Sequence, residues 1–149
     1  MFKLFVRMNY FTSIRSNPQI TDIVLLVVRI FIGFAMISHG YPKLDKLLGD
    51  EEVQFFSFMG LSPAVSLGLA IFSEFVCSIF IILGLFTRWA VFFLLITMAV
   101  AGLIVHGADP FSDREMALLY LANYLMIFAF GPGKYSIDSM ISLRKQSRW

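Results

Sequence analysis

The chain has 149 residues, of which 58% are hydrophobic and only 15% are charged. This composition excludes an ordinary soluble domain, because a soluble fold of this size needs far more polar surface. The small net charge of +2 argues against a nucleic-acid-binding protein, and the single cysteine, Cys77, excludes chemistry that needs two thiols in one chain.

Residues 1–20 are predicted to form a separate N-terminal segment. They mix apolar side chains with Lys3, Arg7 and Arg15, a pattern typical of an amphipathic segment on a membrane surface. A frayed cytoplasmic tail is the alternative interpretation. No small-residue cleavage site follows the first long apolar run, so we expect this run to be kept as a membrane span.

Residues 21–133 are predicted to form one all-α domain, an integral membrane four-helix bundle. Gly40 and Pro42 are expected to end the first span, and Pro63 to begin the second. Arg88 marks the turn between the second and third spans, and Gly-Pro-Gly at 131–133 ends the fourth. Each apolar segment is long enough to cross a bilayer. The predicted spans are about 21–39, 64–86, 89–105 and 113–130.

The distribution of basic residues predicts which side of the membrane each end faces. With four spans, both termini lie on one side, and residues 134–149 form a basic tail there. The termini and the turn at Arg88 together carry eight lysines and arginines, whereas the other two loops carry only Lys43, Lys46 and Arg114. The positive-inside rule therefore predicts that both termini are cytoplasmic.

Two charged residues fall inside the predicted spans, Arg29 in the first and Glu74 in the second. Counting about 1.5 Å of helix rise per residue from the start of each span places both near the middle of the bilayer. Three interpretations remain open. The two side chains form a buried ion pair that fixes helix register, or they line a pocket for a ligand or proton, or Glu74 is neutral because it is desolvated.

Other polar residues are candidates for the same pocket. His39 ends the first span and His106 ends the third, so both lie in the layer opposite the termini. Three interpretations remain open for the two histidines: interfacial polar residues, pocket residues, or ligands of a haem or of a metal shared with Asp109. Haem and metal ligation are weak alternatives, because the two histidines have no spacing motif. Tyr120 and Asn123 share a face of the fourth helix, where Asn123 is either an interhelical hydrogen-bonding residue or a site residue. No metal site is predicted.

Four stretches of the chain resemble the DoxX/DoxD family of small bacterial and archaeal four-span membrane proteins. They are VVRIFIGFAMISHGYPKL, FFSFMGLSP, SEFVCSIFIILGLFTRWA and LLYLANYLMIFAFGPGKYSID. The resemblance implies a location in the bacterial inner membrane. It carries over Arg29, His39, Gly40, Lys43 and Glu74 as the polar and glycine positions of the family motifs, together with the Gly-Pro-Gly stop, and it assigns no catalytic residue. Lys43 is therefore a further candidate for the pocket.

The resemblance also implies a link to redox chemistry, because the family takes its name from a subunit of a thiosulfate:quinone oxidoreductase. We therefore predict an accessory redox or quinone-interacting subunit with a polar pocket between its helices. Quinone is the candidate cofactor, and the expected partners are the lipid bilayer with redox-protein subunits or further copies of the chain. The first alternative is a non-enzymatic membrane scaffold or assembly factor in which Arg29 and Glu74 form a structural ion pair. A transporter of a small solute or proton ranks below it.

Overall fold

The computed structural model describes residues 17–49 and 52–146, and this part of the chain folds into helices joined by short loops. The predicted all-α class is confirmed. The predicted amphipathic segment falls almost entirely outside the described residues. The helices are α1 (Pro18–Leu48), α2 (Pro63–Leu83), α3 (Thr87–Val105), α4 (Phe111–Phe130) and α5 (Ile137–Gln146).

Helix α1 is longer than the sequence suggests at both ends. Asn17 caps it, since its side chain accepts a hydrogen bond from the backbone N–H of Gln19 at 3.0 Å, and Pro18 occupies the first turn. The predicted end at Gly40 and Pro42 is wrong, because the helix continues through Pro42 to Leu48. Membrane helices tolerate an internal proline when neighbouring helices and side chains stabilise the freed backbone groups.

Helices α2 and α3 each contain one π-helical stretch. In α2 it spans Phe72–Cys77, and in α3 it spans Val100–Val105. A π-helical stretch accommodates an additional residue in the helix and is frequent at functional sites. The start of α2 agrees with the prediction, because Ser62 accepts a hydrogen bond from the N–H of Val65 and Pro63 lies in the first turn.

Three of the described helices, α1, α2 and α3, are long and apolar enough to cross a membrane. Helix α4 has 20 residues but carries Asp113, Arg114 and Glu115 near its start. It ends at Phe130 as predicted, where Gly131 adopts a φ of 79° that favours glycine. Helix α1 packs along α2, and α3 packs along α4.

The two ends of the bundle have different structures. At one end, which we call the Gly84 end, the start of α1, the α2–α3 turn and the segment from Gly131 to α5 come together. Asp22 accepts a hydrogen bond there from the N–H of Lys134, and Asp138 accepts one from the N–H of Thr87, both at 2.9 Å. At the other end, which we call the His106 end, α3 is followed by the loop leading to α4.

Candidate functional site

The most buried acidic side chain of the predicted pocket, Glu74, is paired with Lys43. Glu74 is 3% exposed, and its two carboxylate oxygens both accept hydrogen bonds from the Lys43 ammonium, Oε2 at 2.6 Å. Hydrogen bonds between charged groups are stronger than neutral ones, and a buried carboxylate requires such a partner. The pair joins α1 to α2 in the half of the bundle nearer the His106 end.

Two local features place Glu74 opposite Lys43. Glu74 lies within the π-helical stretch of α2. Gly40 of α1 lies against this stretch, and a Cβ atom at Gly40 would come within 3.1 Å of the Glu74 backbone. The absence of a side chain at Gly40 therefore allows the two helices to approach closely. Lys43 is three residues beyond Gly40, so it lies on the same face of α1.

The predicted ion pair between Arg29 and Glu74 is wrong, because the two residues lie at different depths. Helices α1 and α2 run antiparallel, with Gly40 against Glu74 and Gly84 against the Arg29 guanidinium. Arg29 therefore lies 11 positions from the level of Glu74, about 16 Å along α1. The estimate of depth from helix rise was wrong because it assumed that each predicted span begins at the edge of the membrane.

Arg29 instead belongs to the Gly84 end of the bundle. It is fully buried, and its Nη2 donates a hydrogen bond to the backbone carbonyl of Tyr135, in the segment between α4 and α5. The Asp138 carboxylate also interacts electrostatically with it. Arg29 thus ties the chain after α4 to α1, and it is separate from the pocket around Glu74.

A cavity of about 490 Å³ opens beside the Lys43–Glu74 pair. Its walls are largely apolar and come from α2, from α3 and from the loop before α2. Both π-helical stretches contribute to these walls. The lining residues include Phe55, Phe58, Leu69, Ala70, Phe72, Ser73, Phe93, Ile96, Thr97, Val100 and His106. We call this space the large cavity; its volume lies within the usual range for small-molecule sites.

A second cavity of about 170 Å³ also borders the Lys43–Glu74 pair. We call it the small cavity. It shares Lys43, Glu74, Ala101 and His106 with the large cavity, and its remaining walls come from α1, α3 and α4. Its further lining residues are Met36, His39, Met98, Asp113, Met116, Ala117 and Tyr120.

Side-chain contacts orient both histidines. His106 Nδ1 lies 2.9 Å from Oδ2 of Asp109, three residues further along the chain. The His39 ring packs edge-on against the Tyr120 ring, with centroids 5.7 Å apart, and Tyr120 stacks on the fully buried Tyr124. Both histidines line the small cavity, and His106 lines the large one as well.

Five of the seven predicted pocket residues therefore come together around the two cavities. They are Lys43, Glu74, His39, His106 and Tyr120. Arg29 and Asn123 do not join them. The Asn123 side chain donates a hydrogen bond to the carbonyl of Leu119 at 2.8 Å, within its own helix. Among residues 17–49 and 52–146, no three His, Cys, Asp or Glu side chains form a metal-binding group.

Sequence reasoning missed three polar features. Ser73 and Thr97 form a hydrogen-bonded pair in the large cavity, with their hydroxyl oxygens 2.8 Å apart. Ser66 accepts a hydrogen bond from the N–H of Phe58 and holds the preceding loop. Asp138 accepts from two backbone N–H groups at the start of α3. Small hydroxyl residues are common in membrane helices, and Ser73 stands out in the sequence only because it precedes Glu74.

Comparison with known proteins identifies the family of this bundle. The DoxX family model matches residues 24–107, which includes most of α1, all of α2 and α3, and the Lys43–Glu74 pair. The chain belongs to the DoxX family. The resemblance expected from the four sequence stretches is thereby confirmed. No solved structure matches the chain significantly.

Relatives of this DoxX protein are found in Escherichia coli and Haemophilus influenzae. The inner membrane protein YqjF of Escherichia coli K12 is 27% identical over 130 residues, covering 83% of this chain and 96% of the relative. The inner membrane protein YphA of the same strain is 29% identical over 88% of the chain and 96% of its own length. An uncharacterized Haemophilus influenzae protein is 34% identical over 77% of the chain and 88% of its own length. The DoxX protein is accordingly a multi-pass inner membrane protein.

Proposed function

We propose that this DoxX protein binds a quinone-type lipid and serves as an accessory subunit of a membrane redox system. The single observation that carries this proposal is the large cavity, in which about 490 Å³ of mostly apolar space meets the buried Lys43–Glu74 pair. A small molecule with an apolar ring or chain and a polar head fits such a combination.

The walls of the large cavity favour a ligand that arrives from the bilayer. Leu69, Phe72, Phe93 and Ile96 line the cavity, and all four keep a substantial part of their surface exposed on the membrane-spanning helices α2 and α3. In a bilayer these exposed faces contact lipid tails. A lipophilic ligand can therefore reach the cavity between α2 and α3 without passing through water.

The polar groups of the large cavity suit the head group of a quinone. The Lys43 ammonium can donate a hydrogen bond to a quinone carbonyl, and the Glu74 carboxylate can accept one from a quinol hydroxyl. The Ser73–Thr97 pair supplies hydroxyls on the same wall. A quinone reaction also needs a second redox partner, which is why we assign the chain an accessory role and expect redox-protein subunits or further copies of the chain as partners.

Retention of quinone by the purified protein tests the proposal. We expect the protein, extracted in mild detergent, to retain ubiquinone or menaquinone above the level carried by its bound lipid, measured by mass spectrometry. Ala70→Trp fills the large cavity and is expected to abolish this retention, while Thr97→Val weakens it. Asn123→Ala, outside both cavities, is the matched control and should retain quinone as the unaltered chain does.

Two outcomes would contradict the proposal. In the first, the purified protein holds no quinone above the lipid background. In the second, Ala70→Trp retains as much quinone as Asn123→Ala. Each measurement is accompanied by a thermal unfolding curve, so that a misfolded variant is not mistaken for one with an empty cavity.

A non-enzymatic scaffold is the second candidate, favoured by the position of the Lys43–Glu74 pair between α1 and α2. In a scaffold the pair would only hold two helices together. Replacing Lys43 and Glu74 together by Met and Gln would then leave both folding and cellular function intact. Loss of function in a stable double variant favours the quinone-binding role instead.

We also propose that both termini of the protein are cytoplasmic. The support is the excess of lysine and arginine at the termini and at the α2–α3 turn over the other loops. With this orientation, the Gly84 end faces the cytoplasm and the His106 end faces the opposite side of the membrane.

A further inference from the structure

The small cavity collects sulfur and imidazole side chains from three parts of the bundle. Met36 and His39 come from α1, Met98 from α3, His106 from the end of α3, and Met116 from α4. We propose that this cavity binds a soft monovalent metal ion of the Cu⁺ class through thioether sulfur and imidazole nitrogen. The small cavity adjoins the large one and shares His106 with it, but Met36 and Met98 line only the small cavity. The metal site does not depend on the proposed quinone-binding function.

The chemistry of these side chains selects the metal. Thioether sulfur is a soft ligand that favours Cu⁺, and imidazole also suits copper, whereas Mg²⁺ and Ca²⁺ require oxygen ligands. Three methionines and two histidines supply more than enough ligands for one Cu⁺. Because all five side chains can bind as neutral groups, the ion keeps its single positive charge.

The Asp109 carboxylate prepares His106 for metal binding. It lies 2.9 Å from Nδ1, and because a carboxylate only accepts hydrogen bonds, Nδ1 is the donor of this contact. The other ring nitrogen, Nε2, is then the one left to bind a metal. Histidines that bind metals nearly always donate their other ring N–H to such an outer partner, which fixes the ring and raises its basicity. Asp109 is therefore a positioning residue in this site.

Burial and charge are both compatible with a bound cation. Met36 is 1% exposed and Met98 is 5% exposed, so two of the sulfur ligands are buried. Met116 is 57% exposed, the His106 side chain is 44% exposed, and His39 is exposed as well, so a metal ion can reach the cavity from this side. The Lys43 ammonium also lines the cavity, but its charge is compensated by Glu74, and Asp113 adds a further carboxylate.

Competition for Cu⁺ with a coloured chelator tests the site. The purified, metal-free protein is titrated without oxygen against the Cu⁺–bicinchoninate complex, and we expect it to withdraw Cu⁺ in a one-to-one complex. Met36→Leu with Met98→Leu, which keeps apolar volume while removing both buried sulfurs, is expected to weaken Cu⁺ binding by at least about tenfold, as is His106→Gln. Asp109→Asn should weaken it about 10–100-fold, the usual effect of losing an outer-shell partner.

Met126→Leu is the matched control, since Met126 lies on α4 away from the small cavity and should leave Cu⁺ binding unchanged. X-ray absorption of the Cu⁺ complex is expected to show both sulfur and nitrogen neighbours. The proposal is overturned if the unaltered protein withdraws no Cu⁺, if the double leucine variant binds as tightly as Met126→Leu, or if the metal has no sulfur neighbour. Quinone retention by the same double variant is expected to be normal, which separates this site from the large cavity.

Discussion

At the scale of single residues, the Lys43–Glu74 pair controls the polarity of both cavities. Glu74 is almost completely buried, while Lys43 is partly exposed. The charge of Glu74 is therefore stabilised mainly by Lys43, whereas water can also stabilise the charge of Lys43. Removing one partner of such a pair leaves a buried charge without compensation, which typically destabilises a protein by about 3–5 kcal/mol. Removing both partners avoids this penalty.

We predict that Lys43→Met lowers the stability of the protein by about 3 kcal/mol, whereas the Lys43→Met, Glu74→Gln double variant recovers most of the loss. Thermal unfolding in detergent measures both. Lys46→Met is the matched control, because Lys46 is exposed and donates only to the backbone carbonyl of Gln54. If Lys43→Met is as stable as Lys46→Met, the ion pair does not stabilise Glu74.

Gly84 is the residue at which a side chain is least tolerated. It has a φ of 66°, which favours glycine, and a Cβ atom there would overlap the Arg29 guanidinium and lie 2.5 Å from Cβ of Ser136. The small volume of Gly84 therefore allows a buried arginine, the α2–α3 turn and the chain before α5 to pack together.

We predict that Gly84→Ala destabilises the protein by about 2 kcal/mol or more, through backbone strain and displacement of Arg29. Gly68→Ala is the matched control. Gly68 lies within α2, which ends one residue before Gly84, and no atom lies near its missing Cβ. Alanine at this position should therefore be neutral or stabilising by up to about 1 kcal/mol. Comparable melting temperatures for the two variants would contradict this prediction, because they would mean that Arg29 and Ser136 move aside without loss of stability.

At the scale of elements, α5 is attached to the bundle through its first turn. The Asp138 carboxylate accepts hydrogen bonds from the N–H groups of Phe86 and Thr87, each at 2.9 Å, where α3 begins. These N–H groups have no partner within α3, and a carboxylate there also interacts favourably with the helix dipole. One side chain thus caps α3 and fixes the position of α5.

We predict that Asp138→Ala releases α5 and lowers stability by about 0.5–2 kcal/mol, the usual effect of losing a helix cap. Trypsin cleavage after Arg144 and Lys145 in α5 should become faster. Ser142→Ala, an exposed substitution in the same helix, serves as the control. Equal cleavage rates in the two variants would mean that Asp138 does not hold α5.

The π-helical stretches are the elements that sequence reasoning did not anticipate. A π-helical stretch arises where the chain accommodates an additional residue against its neighbours, and a hydrophobic period of 3.6 residues does not reveal it. Both stretches border the large cavity and contribute residues to its wall. The position of Glu74 and the shape of the cavity therefore depend on a feature that only packing between helices stabilises.

At the scale of the whole molecule, the bundle has two chemically different ends. The Gly84 end brings together the start of α1, the α2–α3 turn and the chain after α4, through Asp22, Arg29 and Asp138. The His106 end carries the small cavity and the loop that covers the large one. In the proposed orientation, the His106 end lies away from the cytoplasmic face.

Cysteine labelling tests the proposed orientation. Ser57→Cys lies in the loop before α2, and Ser142→Cys lies in α5, both exposed. A membrane-impermeant maleimide added to spheroplasts should label the first variant at once and the second only after permeabilisation. The native Cys77 is buried and serves as an internal background. The reverse labelling pattern would contradict cytoplasmic termini.

The sequence by itself determined the class of the protein and most of its helices. The apolar composition, the proline at the start of α2 and the glycine at the end of α4 act through hydropathy and backbone geometry, which are local properties. Pro42 led to a wrong helix end, because its local backbone preference predicts a stop, whereas α1 continues through it to Leu48.

Only the tertiary structure decided which polar residues meet. Sequence spacing put Arg29 and Glu74 at one depth, but the close approach at Gly40 and Gly84 sets the antiparallel register. In this register Glu74 pairs with Lys43, and Arg29 donates to the carbonyl of Tyr135. Likewise, the methionines and histidines of the small cavity come from separate helices. Contacts between distant segments depend on how helix surfaces fit together, and no local pattern in the chain encodes that fit.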